Sequence, residues 1–97
     1  MKISDKNTPG TIEMHNGSCF RIPQNETWGQ KYHMLKKNSD ATFITKYSSV
    51  RSFLRKHFPK TTIITEKSLS NGMTAHTKKI VLVEPGINIQ YLDKAWS

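Results

Sequence analysis

The stretch Thr61-Thr62-Ile63-Ile64-Thr65-Glu66-Lys67-Ser68-Leu69-Ser70-Asn71-Gly72-Met73-Thr74-Ala75-His76-Thr77-Lys78-Lys79-Ile80-Val81-Leu82-Val83 sets two β-rich runs around a polar middle. Residues 61–65 are Thr and Ile throughout, β-branched types that favour strands. Residues 80–83 are apolar on both faces, which suits a central strand covered on both sides. Asn71-Gly72 marks a tip between them, with a flexible loop over 68–77 as the alternative. On this reading residues 60–84 form a β-hairpin, and its antiparallel pairing sets the fold class. Pro85-Gly86 ends the second arm. Ile87, Ile89 and Tyr91 then alternate as an edge strand, and residues 92–96 suit a helical turn that packs Trp96 on the core.

Toward the N-terminus, residues 11–22 read as another hairpin. A loop of Asn16-Gly17 alone would place Glu13 opposite Phe20 and split the apolar set between two faces. A three-residue loop, His15-Asn16-Gly17, places Ile12 opposite Phe20 and Met14 opposite Ser18. Ile12, Met14, Phe20 and Ile22 then share one face, so the bulged turn with Gly17 in the left-handed region is favoured. Pro23 ends the strand.

Between the hairpins lie two helices and a strand. Residues 26–37 suit a helix with Asn25 as N-cap and Glu26 at its positive end. Trp28, Tyr32 and Leu35 fall on one face and read as its buried stripe. Residues 41–46 form a short strand. A second helix is capped by Ser48 or Ser49, buries Val50, Phe53, Leu54 and Phe58, and stops at Pro59. The expected fold is therefore α+β. It is a small single domain with a mostly antiparallel sheet (two hairpins plus a short strand) and two helices packed on it. Residues 1–10 are read as a flexible arm and 11–97 as the domain.

Charge carries the functional reading. The 97 residues hold 15 Lys and Arg against 7 Asp and Glu, a formal net charge of +8. Such a field favours polyanionic partners. The basic middle comprises Lys31, Lys36, Lys37, Lys46, Arg51, Arg55, Lys56 and Lys60, with Asp40 the one acid among them. Arg51 and Arg55 stand one helical turn apart with no acid at that spacing to relieve them. Lys outnumbers Arg, which suits phosphates or acidic side chains better than base edges. Tyr47, at a strand–helix junction, is the best-placed exposed aromatic, and Phe43, Phe53 and Phe58 read as core. The second loop supplies Lys67, Leu69, Asn71, Met73, Lys78 and Lys79, a basic tip whose two apolar residues could enter a groove or a partner pocket.

The single cysteine, Cys19, excludes an internal disulfide and a Cys-pair zinc site. The four histidines are scattered, and no Gly-rich phosphate loop or carboxylate cluster is visible. No metal, cofactor or small-molecule substrate is expected, and no enzymatic activity. The N-terminus lacks the apolar core of a signal peptide, and no run approaches a membrane span, so a cytoplasmic protein is expected. Asn16-Gly17-Ser18 and Asn25-Glu26-Thr27 match the glycosylation pattern by chance. The leading expectation is a basic binding protein that contacts the phosphates of DNA or RNA with little sequence readout. The rival is an inhibitor or modulator, of the economical kind used by phages and mobile elements. It would bind an acidic protein surface, such as that of a nucleic-acid enzyme.

Overall fold

The computed structural model describes residues 10–14, 17–23, 25–71 and 79–87. The apolar run at 80–82 lies in the middle of a five-stranded sheet, and this placement governs everything around it. In chain order the elements are β1 (Gly10–Met14), β2 (Gly17–Arg21), α1 (Trp28–Lys37), β3 (Thr42–Thr45), α2 (Ser48–His57), β4 (Ile63–Thr65), α3 (Glu66–Ser70) and β5 (Lys79–Leu82). The strand order is β1-β2-β5-β3-β4. β1 pairs antiparallel with β2. β2 with β5, β5 with β3, and β3 with β4 are all parallel.

The mostly antiparallel sheet expected from sequence is therefore wrong. β4 and β5 exist close to where residues 61–65 and 80–83 indicated, but they flank β3 on opposite sides and cannot pair as a hairpin. The chain between them carries α3, as a parallel crossover requires. Thr65 starts that helix by accepting a hydrogen bond from the Ser68 amide at 3.2 Å. The reason for the miss lies in residues 80–83. A strand apolar on both faces is a parallel-sheet trait, whereas Asn71-Gly72 is a local turn signal that points to a hairpin.

Across β2, β5, β3 and β4 both sheet faces are buried. The register aligns Phe20, Val81, Phe43 and Ile63 in one row across β2, β5, β3 and β4. With Ile22 and Val83 they form a core against Met34 and Leu35 of α1 and Val50, Leu54 and Phe58 of α2. The alternate row, Arg21, Leu82, Ile44 and Ile64, faces the other way together with Cys19 and Ile80, and it too is buried. Leu69 of α3 is buried outside the α1–α2 core. That fits right-handed crossovers, since β2→β3→β4 steps one way across the sheet and β4→β5 steps back.

Two-sided burial also explains the first hairpin. Its register pairs Met14 with Gly17, Ile12 with Cys19 and Thr11 with Phe20. That leaves two residues between the arms, not the three-residue bulged loop. The expected register kept one apolar face. β2 buries Cys19 and Arg21 on one side and Ile22 on the other, so parity gives no guidance there.

Local signals set the helix ends. α1 starts at Trp28 rather than at Glu26, because Thr27 and Gln30 make a reciprocal capping box. The Gln30 amide donates to Thr27 Oγ1 at 3.2 Å, and the Thr27 amide donates to Gln30 Oε1 at 3.0 Å. Neither Ser48 nor Ser49 caps α2; Tyr47 occupies the N-cap without a side-chain bond. At the far end Phe58 is the C-cap, and Pro59 prevents continuation. Residues 1–9 and 88–97, which hold most of the expected arm and most of the edge strand and tail, lie outside the described residues. Ile87 is buried but is not in a strand.

The strand ends are tied by polar bonds. Glu84, following β5, is buried and accepts from Thr45 Oγ1 at 2.7 and 2.9 Å and from the Lys46 amide at 2.8 Å. Arg51 of α2 donates its Nε–H to the Ile63 carbonyl at 3.0 Å, fixing the helix to β4.

Candidate nucleic-acid interface

α1 and α2 each join two parallel strands, so both run back along the same face of the sheet, side by side. Their ring contacts show the alignment. Trp28 meets Phe53 with centroids 5.7 Å apart, and one turn further along each helix Tyr32 meets His57 at 5.6 Å. Phe53 and His57 are 4.6 Å apart. Tyr32 then reaches Phe58 at 5.4 Å, and Phe58 reaches the core residue Phe43 at 5.4 Å. The seam between the helices is thus a continuous run of rings from solvent to core.

Most of that run is open to water. Trp28, Phe53 and Tyr32 are 45%, 47% and 37% exposed. This corrects the reading of Trp28 and Tyr32 as a buried stripe and of Phe53 as core. The stripes were real, but each helix rests on the sheet through a narrow line: Leu35, with Met34, on α1, and Leu54, with Val50 and Phe58, on α2. Aromatic residues at the stripe edges fall on the seam instead. Periodicity finds such a stripe but not its buried width. Phe43 and Phe58 are core as expected.

Both helices are cationic. Neither helix contains an Asp or Glu, while together they carry Lys31, Lys36, Lys37, Arg51, Arg55 and Lys56. Lys31 sets its ammonium 4.9 Å from the centroid of the Trp28 ring, a cation–π arrangement. Lys36, Lys37, Arg55 and Lys56 lie exposed in the last turns, where they also oppose the negative helix ends. At the other end of the seam Trp28, Ser49, Val50 and Phe53 line an open groove of about 260 Å³.

No protein-family model, no curated protein and no solved structure matches this chain.

The remaining basic residues spread to other places. Lys60 is exposed in the turn before β4. Lys46 and Tyr47, both exposed, sit at the junction of β3 and α2, at the opposite end of the helices from Lys56 and Lys60. Lys79, at the start of β5, reaches Asp40 at 3.6 Å. Arg51 differs from its expected role, being half-buried and bonded to the Ile63 carbonyl, while Arg55 is exposed. In the expected partner loop, Lys67 and Asn71 are exposed, Asn71 as the C-cap of α3. Leu69 is a buried core residue that cannot anchor a partner. Met73 and Lys78 lie outside the described residues.

Cys19 is fully buried, and its thiol is pushed up from 9.0 to about 12 by burial, partly countered by the charge of Arg21. A thiol held in its protonated form is a poor nucleophile. Among the described residues no group of three or more His, Cys, Asp or Glu is placed to hold a metal ion, and no helix is long and apolar enough to cross a membrane.

Proposed function

We propose that the protein binds nucleic acid through the face formed by α1 and α2, without catalysing a reaction on it. The observation that carries this reading is a pair of adjacent helices with six basic and no acidic side chains, joined by a seam of solvent-exposed rings. Lys31, Lys36, Lys37, Arg55 and Lys56 contact phosphates, with Lys60 extending the same end and Arg51 serving mainly to hold α2 on the sheet. Lysine-led contact of this kind positions a nucleic acid without reading its sequence. The reading places the protein in the cytoplasm, where a free, reduced cysteine is normal.

Salt dependence tests it. Affinity for a DNA oligonucleotide, followed by fluorescence anisotropy over rising salt, falls with a log–log slope of about −0.7 to −0.9 per phosphate neutralised. A slope of several units is expected. Affinity that barely changes from low to moderate salt overturns the proposal.

A further inference from the structure

We infer that the open groove lined by Trp28, Ser49, Val50 and Phe53 seats an unpaired base of single-stranded nucleic acid, whose phosphate is met by Lys31; this rests on the nucleic-acid reading above. Trp28 and Phe53 meet at 68° to one another, and with Val50 and Ser49 they line the groove. Such a lining is mostly apolar with one hydroxyl residue in it, which matches the face and polar edge of a base. At about 260 Å³ and open to solvent, it is smaller than the enclosed cavities that hold whole cofactors.

Charge selects the occupant. A second copy of this chain would bring one acid-free cationic helix pair against another, which like-charge repulsion opposes. An anionic strand is attracted by the same charges. Base stacking on aromatic rings serves single strands, because bases in a duplex already stack on each other and do not present their faces. Lys31, held over Trp28 at 4.9 Å, stands beside the groove where the backbone of a seated nucleotide would pass. One turn on, Tyr32 and His57 offer a second pair of rings, so the seam can follow a strand from one nucleotide to the next.

The test compares a labelled twelve-residue oligothymidylate, an abasic twelve-residue strand of equal charge and a duplex of the same length. The full chain and its Trp28→Ala and Phe53→Ala variants are titrated with each probe by fluorescence anisotropy at fixed salt. The expected result is at least tenfold tighter binding of oligothymidylate than of the abasic strand or the duplex. Each substitution removes most of that preference while leaving affinity for the abasic strand and the circular dichroism spectrum unchanged. Equal affinity of the wild-type protein for the base-bearing and abasic strands overturns the inference and leaves phosphate binding standing. Duplex binding as tight as oligothymidylate binding also overturns it. Failure to bind any of the three probes overturns both this inference and the reading it rests on.

Discussion

Trp28 and Phe53 come from different helices and meet edge to face, centroids 5.7 Å apart, yet each keeps nearly half of its surface in water. An edge-to-face pair adds about 0.5–1.5 kcal/mol beyond area burial. Half-exposed rings contribute little more to the core. Trp28→Ala and Phe53→Ala are therefore expected to cost no more than about 1.5 kcal/mol in urea unfolding, whereas Leu54→Ala or Phe43→Ala, both in the core cluster, cost about 2–5 kcal/mol. Equal losses at all four positions would make the seam a structural element rather than a binding surface.

Arg51 and Arg55 occupy successive turns of α2 but have different duties. Arg51 donates to the Ile63 carbonyl, so Arg51→Ala removes a charge-assisted bond and lowers stability by about 1.5–3 kcal/mol. Arg55 is exposed, so Arg55→Ala leaves the urea midpoint nearly unchanged. Instead it makes the salt slope of nucleic-acid binding shallower by about 1. Measuring both quantities on both variants separates the roles, and the reverse pattern would refute the assignment.

Glu84 links the ends of β5 and β3 through Thr45 and the Lys46 amide. Glu84→Ala leaves these donors without a partner in a buried place, at a cost of about 1–3 kcal/mol. Glu84→Gln keeps one acceptor oxygen and is expected to lose less. Thermal or urea unfolding checks the order of the two variants.

Cys19 makes stability sensitive to alkaline pH. Its thiol titrates at about 12 in the folded protein against 9.0 ordinarily. The folded chain thus retains a proton that the unfolded chain has released. Its contribution to stability is present in full below pH 9 and is lost as pH rises from about 9 toward about 12. Cys19→Ala is expected to flatten that part of the stability profile relative to the unmodified chain. Ellman's reagent at pH 8 should react with Cys19 only as fast as the protein opens. Rapid stoichiometric reaction would show the thiol to be accessible.

Much of the fold was legible, element by element. The strand at Phe43-Ile44 and the helix ended by Pro59 follow directly from β-propensity and from proline's missing donor. What could not be read locally was pairing. Residues 63–65 and 80–82 form strands whichever partner they take, and only β3, inserted between them in space, makes them parallel. The α3 start was written in Thr65-Glu66-Lys67-Ser68, a cap signal hidden by the hairpin reading. The cationic character of the two helices was visible in the run from Lys31 to Lys60, where Asp40 is the one acid. The aromatic seam was not, because Trp28 and Phe53 become neighbours only when both helices lie on one face of a parallel sheet. Arg51 was misjudged for a related reason: its acceptor is a backbone carbonyl twelve residues away, which no spacing rule reveals.

The most direct test of the central claim is a map of backbone amide shifts by heteronuclear NMR as oligothymidylate is added. The account predicts that the largest changes fall on residues 28–37 and 48–57, strongest at Trp28, Lys31, Ser49 and Phe53, with β4 and α3 little affected. Shifts concentrated on Lys67 to Asn71, or spread evenly over the molecule, would contradict it.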